Sequence, residues 1–194
     1  MKTFLSEIKT SVLVTLVFAV LLCGVYPLVV WGAGQALFHD KANGSLIVDQ
    51  DGKVRGSSLL AQNFSSAKYF QPRPSAAGSG YDATSSSGTN LGPTSQKLSD
   101  AIKAAIAAYR TANDLPADAI VPADAVTSSG SGLDPHISLA NADIQAVRVA
   151  KTRHLAIEQV RGLVARHTDG RSLGIFGEPG VNVLELNRAL DATR

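Results

Sequence analysis

The sequence has very little cysteine and no large surplus of either charge. Its 194 residues include a single cysteine, Cys23, which lies within a long apolar run. We therefore expect no disulfide framework and no thiol chemistry in the rest of the chain. Lys and Arg together number 18, against 16 Asp and Glu. A nucleic-acid-binding protein normally carries a strongly basic face, so this near balance argues against nucleic acid as a partner.

Motifs of nucleotide-binding, metal-binding and hydrolytic sites are also missing. The chain contains no GxxxxGK[ST] loop, no GxGxxG turn and no GxSxG elbow. Its four histidines, His39, His136, His154 and His167, do not have the spacing of metal ligands. The sequence therefore predicts no catalytic residues and no metal site, and it leaves any cofactor-binding residues unknown.

An uncharged apolar run from Val12 to Gly34 predicts one membrane-spanning helix. At about 1.5 Å per residue, it is long enough to cross a hydrocarbon core of about 30 Å. The run exceeds the roughly 7–15 apolar residues of a signal peptide and lacks a clean cleavage site, so we expect it to remain in the membrane. The predicted organisation is an N-terminal segment (1–11), a transmembrane helix (12–34) and one soluble domain (35–194).

The charges that flank this helix predict its orientation. Lys2 and Lys9 precede the apolar run, whereas Lys41, next to Asp40, is the first basic residue after it. Positive charge usually stays on the cytoplasmic side of a membrane. We therefore expect a single-pass protein of the cell inner membrane with a cytoplasmic N-terminus and a periplasmic domain.

A stripe of small side chains along the helix predicts a contact with a partner helix. Its members recur every four residues: Ser11, Thr15, Ala19, Cys23 and Pro27. Small side chains allow two helix backbones to approach closely in lipid. The alternative interpretation is that small residues are common in any membrane helix.

The rest of the chain predicts a single α+β domain, since helical and strand patterns are mixed without a regular βαβ repeat. Residues 45–60 have the pattern of a hairpin around an Asp51-Gly52 turn, and residues 72–93 that of a long loop. Three helices are predicted, one after Pro93 and Thr94, one from Ala142 to Arg166, and one that begins at the N-cap residue Asn182.

Arg153 is the residue that breaks the pattern of the long predicted helix. It falls on the apolar face between Ala150 and Ile157, whereas Arg148 falls on the polar face. A guanidinium group in an apolar environment needs a partner. We expect Arg153 to clamp a carboxylate or loop carbonyl groups, with Asp134 as its first candidate partner. Binding of an external anion is the alternative.

Residues 129–136, with the sequence SGSGLDPH, contain serine, aspartate and histidine within a short distance. A hydrolase that uses Ser129 or Ser131 is one interpretation. However, the members of a catalytic triad usually come from distant parts of a chain. The alternative is a turn in which Asp134 accepts hydrogen bonds from nearby backbone N–H groups.

Long strings of the sequence resemble one protein family, and they occur in the same order along nearly the whole chain. They are YPL (26–28), YFQPRPSAAGSGYD (69–82), SSGTNLGPTS (86–95), SGSGLDPHIS (129–138), Gln145 with RVAKTR (148–153), and GEPGVNVLELNRAL (177–190). These strings are similar to those of KdpC, the small single-span subunit of the bacterial high-affinity potassium-transporting Kdp P-type ATPase. Two positions depart from the family pattern, with Leu139 in place of proline and Gly180 in place of arginine.

The resemblance implies a non-catalytic accessory subunit of an ATP-driven potassium uptake complex. Its partners would be the ATP-hydrolysing subunit and the potassium-binding subunit, in addition to membrane lipid. The family is described as a catalytic chaperone that raises the ATP affinity of the hydrolysing subunit. ATP is therefore an implied ligand, either of this chain or only of its partner, and K+ is the ion that the complex transports.

The sequence fits a division of labour between subunits. It contains neither the DKTGT phosphorylation motif of P-type ATPases nor the TVGYG filter of potassium channels. Its candidate structural or interface residues are Asp134, His136, Gln145 and Arg153. Two other classes remain as alternatives, a membrane-anchored periplasmic hydrolase and an anchored solute-binding module.

Overall fold

The chain folds into two compact units, Met1–Arg55 and Gly56–Arg194, in a computed structural model that describes residues 2–49 and 51–193. One long apolar helix comes first, and a region of helices and short strands follows it. This order confirms the predicted α+β class with an N-terminal apolar helix. The predicted segments 1–11 and 35–194 include positions 1, 50 and 194, which lie outside the described residues.

The first unit is dominated by a helix that runs without interruption from Thr3 to Leu37. It consists of α1 (Lys2–Ala19), a π-helical turn (Val20–Val25) and α2 (Tyr26–Leu37). No part of its apolar window is buried inside the protein. The helix is long and apolar enough to cross a membrane, and it contains the whole predicted span.

The π-helical turn has a local cause in the sequence. Pro27 has no N–H group, so it cannot donate the hydrogen bond that an α-helix requires at its position. The N–H group of Tyr26 bonds to the carbonyl oxygen of Leu21, five residues earlier, and Pro27 then lies in the first turn of α2. The helix is wound more widely here than an α-helix. Residues four positions apart therefore point in different relative directions between Ala19 and Pro27 than they do in the α-helical part of the small-residue stripe.

A short helix and a β-hairpin follow the long helix. Their elements are α3 (His39–Ala42), β1 (Leu46–Val48) and β2 (Val54–Ser57). The two strands form a two-stranded sheet. Between them, Gly52 has a φ of +76°, and the N–H group of Lys53 donates to Asp51 Oδ1 at 3.2 Å. The hairpin predicted around Asp51-Gly52 is confirmed.

The second unit combines four helices with a three-stranded sheet. Its elements are α4 (Gln96–Ala112), a 3₁₀ turn (Ala123–Ala125), β3 (His136–Ile137), α5 (Leu139–Arg153), α6 (Ile157–Arg166), β4 (Thr168–Asp169), β5 (Gly180–Asn182) and α7 (Val183–Ala192). The sheet has the antiparallel order β3-β5-β4, with His136 opposite Asn182 and Asp169 opposite Gly180. The helix after Thr94 and the cap at Asn182, which accepts from the N–H group of Glu185, are confirmed.

The core of this unit lies between the sheet and helices α5, α6 and α7. Apart from Phe70, which comes from the long loop before α4, its members belong to these elements. The buried apolar residues are Phe70, Ile137, Ala142, Ala146, Val149, Ala150, Val160, Leu163, Val164, Val181, Val183, Leu186 and Leu190. Burial of such side chains is the main stabilising contribution of the domain.

The long helix predicted from Ala142 to Arg166 is wrong. Two helices replace it. The first of them, α5, ends at Arg153, and the next residue, His154, has a left-handed φ of +56°. The N–H group of Leu155 then bonds to the carbonyl oxygen of Ala150 and closes the end of α5. The sequence contains no glycine or proline at this break. Leu155 and Ile157, which follow the turn, both pack against the core. The turn therefore coincides with tertiary contacts and not with a helix-ending residue in the sequence.

Candidate functional site

Two loops are joined to each other, and the first of them is bonded to α5 and α7. We call residues 67–88 the first loop and residues 128–135 the second loop. Ser75 Oγ in the first loop donates to the carbonyl oxygen of Gly132 at 2.6 Å. The N–H group of Ser87 donates to the carbonyl oxygen of Ser131 at 3.0 Å. The two loops, which we name together the loop platform, are thus joined by direct hydrogen bonds.

The crossing of the two loops depends on Gly132, which has a φ of +69°. A Cβ atom at this position would lie 2.6 Å from the carbonyl oxygen of Ser87 and 2.7 Å from the nitrogen of Ala77. Both neighbouring atoms belong to the backbone, which cannot move aside as a flexible side chain does. Only glycine combines this backbone conformation with so close an approach.

Amide side chains fasten the first loop to the helices beneath it. Gln145 in α5 accepts from the N–H group of Gln71 at 2.7 Å and donates to the carbonyl oxygen of Gln71 at 3.0 Å. Asn187 in α7 makes the same pair of bonds with Phe70, at 2.9 Å each. Each amide bonds to both backbone groups of its partner. The assignment of Gln145 as a structural or interface residue stays a prediction, to which these contacts add its bonds with the first loop.

Arg148 is buried beneath the first loop, so its predicted place on the exposed face is wrong. Its guanidinium group donates to the carbonyl oxygens of Ala67 and Tyr69. It also donates to Asn113 Oδ1 at 2.9 Å and to Gln145 Oε1 at 2.7 Å. Burial lowers the pKa of Arg148, against a smaller opposing effect of the Tyr109 hydroxyl.

Arg153 clamps the same end of the first loop as Arg148 does, but its predicted partner is wrong. Its guanidinium group lies 2.7 Å from Asp191 Oδ1 in α7, whereas Asp134 is paired with Arg73 at 3.1 Å. Arg153 also donates to the carbonyl oxygens of Lys68 and Leu190 at 2.7 and 3.0 Å. A clamp on a carboxylate and loop carbonyl groups was the expected type of contact. Asp191 lies too far along the chain for helical periodicity to indicate it.

Asp134 and His136 form a charged cluster at the edge of the loop platform. The N–H group of His136 donates to Asp134 Oδ1 at 3.0 Å, which agrees with the predicted turn. His136 Nε2 lies 2.8 Å from Asp169 Oδ2, and its Nδ1 lies 3.7 Å from Asp134 Oδ1. Gly180 in the central strand leaves room for the ring, since a Cβ atom there would lie 3.0 Å from His136 Cβ.

The two members of this cluster shift each other's pKa in opposite directions. The hydrogen bond to Asp134 raises the pKa of His136; burial opposes this, and Asp169 adds to the increase. The pKa of Asp134 is lowered, first by its hydrogen bond with His136 and further by Arg73, whereas burial acts in the opposite sense. The cluster therefore favours a protonated imidazole between two carboxylates.

An open groove of about 530 Å³ runs along the loop platform. Its lining includes Arg73, Ser86, Ser129, Ser131 and Asp134. Ser131 Oγ accepts from the N–H group of Leu133 and lies 3.5 Å from Ser129 Oγ. The ring nitrogens of His136 are directed to Asp134 and Asp169 rather than to a serine. The described contacts thus hold the serines in a loop structure and form no serine–histidine relay.

Among residues 2–49 and 51–193, no group of three or more His, Cys, Asp or Glu side chains has an arrangement that would hold a metal ion. One buried side-chain atom in the described part of the chain, Arg73 Nε, has no hydrogen-bond partner. The arrangement orders the first loop on α5 and α7 and joins the second loop to it.

Comparison with known proteins identifies the family. Residues 8–192 match the model of the family KdpC, described as "K+-transporting ATPase, c chain". A Mycobacterium tuberculosis protein named "Potassium-transporting ATPase KdpC subunit" is 55% identical over 185 residues, which are 95% of this chain and 97% of the relative. Proteins of the same name from Koribacter versatilis and Caulobacter sp. are 53% and 50% identical over 186 and 188 residues, with 95% and 97% of this chain and 94% of each relative covered.

The agreement extends from the apolar helix through both loops to α7, so it includes every element that builds the loop platform. The chain therefore belongs to the KdpC family of potassium-transporting ATPase subunits.

Proposed function

We propose that this chain is a non-catalytic accessory subunit that stabilises an ATP-driven potassium uptake complex and raises the ATP affinity of its ATP-hydrolysing subunit. The observation that carries the proposal is the family match over residues 8–192, together with relatives that bear the name of this subunit. The partners are the ATP-hydrolysing and potassium-binding subunits. ATP acts through the hydrolysing partner, and K+ is the transported ion.

The proposed orientation places the N-terminus in the cytoplasm and residues 35–194 in the periplasm, across the cell inner membrane. Its support is the pair Lys2 and Lys9 before the apolar helix, against Lys41 after it. In this orientation the domain is on the opposite side of the membrane from cytoplasmic ATP. Its effect on ATP affinity is then indirect, since a subunit that binds one conformation of its partner more tightly shifts the conformational equilibrium that sets affinity.

Orientation is tested with a cysteine in place of Ser86, whose side chain is exposed in the first loop. We expect a membrane-impermeant maleimide to label the Ser86→Cys chain on cells whose outer membrane alone has been permeabilised. The unsubstituted chain, whose Cys23 lies in the apolar helix, serves as the control and should remain unlabelled. Labelling of Ser86→Cys only after the inner membrane is broken would reverse the proposed topology.

The apolar helix is the proposed assembly element within the membrane. The side chains of Ser11, Thr15, Ala19, Cys23 and Pro27 are all exposed on this helix. Exposed small side chains permit close packing against a partner helix, where packing and hydrogen bonds replace the hydrophobic effect.

The functional test is Ala19→Leu in the whole complex, purified through a C-terminal tag on this chain. The larger side chain should separate the helices, reduce recovery of both partners and raise the KM for ATP at least fivefold in the complex that remains. That factor is the lower end of ordinary coupling between sites, about 5–150-fold. Val17→Leu, two positions away and on the opposite side of the helix, is the matched control. Equal recovery and equal KM for both variants would contradict the assembly role of the stripe.

A further inference from the structure

A histidine side chain joins the two outer strands of the three-stranded sheet. The strand order is β3-β5-β4, so His136 in β3 and Asp169 in β4 lie on opposite sides of the central strand. His136 Nε2 nevertheless lies 2.8 Å from Asp169 Oδ2. A Cβ atom on Gly180 in β5 would lie 3.0 Å from His136 Cβ and 3.3 Å from its Cγ. The imidazole ring thus rests against a position of the central strand that has no side chain to displace it.

The other nitrogen of the same ring faces the loop platform. His136 Nδ1 lies 3.7 Å from Asp134 Oδ1, a distance at which two charges interact. Asp134 Oδ2 is paired with Arg73 Nη1 at 3.1 Å, and Arg73 Nη2 donates to the carbonyl oxygen of Ser128 at 3.4 Å. Asp134 and Arg73 both line the groove. A series of charged contacts therefore runs from β4 through His136 to both loops of the platform.

The protonation state of the ring decides whether both of its contacts are attractive. A protonated imidazole donates from both nitrogens, whereas a neutral one donates from one nitrogen and has a lone pair on the other. Since a carboxylate lies beside each nitrogen, neutral His136 would direct a lone pair towards one of them. The side chains of His136 and Asp169 are 35% and 71% exposed, so protons from the solvent can reach the ring.

We propose that His136 is a pH-operated latch, which joins the second loop and β3 to β4 when it is protonated and releases them when it is neutral. Release removes a positive charge from beside Asp134, and the end of the groove that Asp134 and Arg73 form then gains freedom. This inference goes beyond the proposed function, because it requires no partner subunit. Only the compartment whose pH the latch follows, the periplasm, depends on the proposed orientation.

The charged groups around the ring determine the pH range in which the latch acts. Asp134 raises the pKa of His136 most strongly, burial opposes this, and Asp169 adds to the increase; Gly180 adds no charge. Stabilisation by His136 is therefore fully present below the ordinary value of about 6.5, and it is lost as the pH rises through the raised pKa.

Asp134 responds to pH in a different range. Its pKa is lowered, first by the hydrogen bond with His136 and further by Arg73, against the effect of burial. Its contribution is therefore present above the ordinary value of about 3.9 and is lost only as the pH falls further. A change in stability between about pH 6 and about pH 9 thus reports on the histidine and not on this carboxylate.

The test compares Asp169→Asn with Asp143→Asn in the full chain in detergent. Asp143 pairs with Arg161 at 2.8 Å, and a guanidinium group stays charged over this pH range. We expect Asp169→Asn to lower Tm by on the order of 3 °C at about pH 6 and by less than about 1 °C at about pH 9. The effect of Asp143→Asn should not change with pH. An effect of Asp169→Asn that is equal at the two pH values would overturn the latch.

Titration of His136 itself is the second measurement. In the full chain labelled with ¹³C at histidine, the ring signal that disappears in His136→Gln should titrate with a midpoint above about 6.5. This midpoint should fall in Asp169→Asn, whereas that of the exposed His154 should not move. The same His136 midpoint in the unsubstituted chain and in Asp169→Asn would contradict the proposed contact.

Limited proteolysis tests whether the latch controls the second loop. At about pH 6 the unsubstituted chain should be cleaved within residues 128–135 more slowly than Asp169→Asn, and at about pH 9 the two rates should converge. Comparison of two chains at one pH cancels the pH dependence of the protease. Equal rates at about pH 6 would overturn the link to the loop platform. These measurements involve no partner subunit, so their failure would leave the proposed function standing.

Discussion

Replacement of Arg148 by methionine should lower the free energy of unfolding of the domain by roughly 3–5 kcal/mol. The change removes the donors that serve the carbonyl oxygens of Ala67 and Tyr69 and the side-chain oxygens of Asn113 and Gln145. A buried acceptor left without a partner costs about 1–3 kcal/mol, and partial relaxation keeps the total below the simple sum. The effect exceeds that of most single substitutions.

Thermal unfolding of the purified full chain in detergent measures this effect, with an expected fall in Tm on the order of 10 °C. The matched control is Arg161→Met, because Arg161 pairs with Asp143 at 2.8 Å where both side chains are exposed. Such a pair contributes at most about 1 kcal/mol. Arg148→Lys should fall between the two, since lysine keeps the charge but lacks the planar set of donors. Equal Tm values for Arg148→Met and Arg161→Met would contradict the proposed role.

Substitution of Gly132 by alanine should separate the two loops and destabilise the domain by roughly 2–4 kcal/mol. Its left-handed backbone disfavours any residue with a Cβ atom. The new atom would also lie 2.6 Å from the carbonyl oxygen of Ser87, so the two loop backbones would have to move apart. We expect this movement to weaken the hydrogen bond between Ser87 and Ser131.

Gly130→Ala provides an unusually close control for this prediction. Gly130 lies two positions away in the same loop, and a Cβ atom there would have no neighbour within 4 Å. We expect Gly130→Ala to match the unsubstituted chain in Tm and in resistance to limited proteolysis. Gly132→Ala should lower Tm and expose the first loop to cleavage. Identical proteolysis of the two variants would show that the loop crossing does not depend on Gly132.

Features set by neighbouring residues in the sequence are those that the sequence predicts well. The Asp51-Gly52 turn, the start of α4 and the cap at Asn182 depend on local hydrogen bonds or backbone preference, and the structure confirms all three. The apolar helix belongs to the same class, because length and composition determine it. Pro27 lies just after the π-helical turn, but the sequence around it does not indicate where that turn begins.

Features set by distant residues are those that the sequence does not reveal. Arg148 has the position of a surface residue on α5, and the first loop, about 80 residues earlier, buries it. A polar partner for Arg153 was expected from its helical position, whereas its pairing with Asp191 depends on how α7 packs against α5. The break at His154 is a further example, since its left-handed conformation has no glycine or proline to signal it.

The hydrogen bonds from the side-chain amides of Gln145 and Asn187 bear on which residues determine the conformation of the first loop. They reach the backbone of Gln71 and Phe70 across 74 and 117 positions of sequence. Every residue except proline has the same backbone N–H and carbonyl groups. These hydrogen bonds therefore do not depend on which side chain the bonded loop residue carries. These two helical amides therefore hold the loop through its backbone, and the residue at position 71 is held by its place in the chain rather than by its side chain.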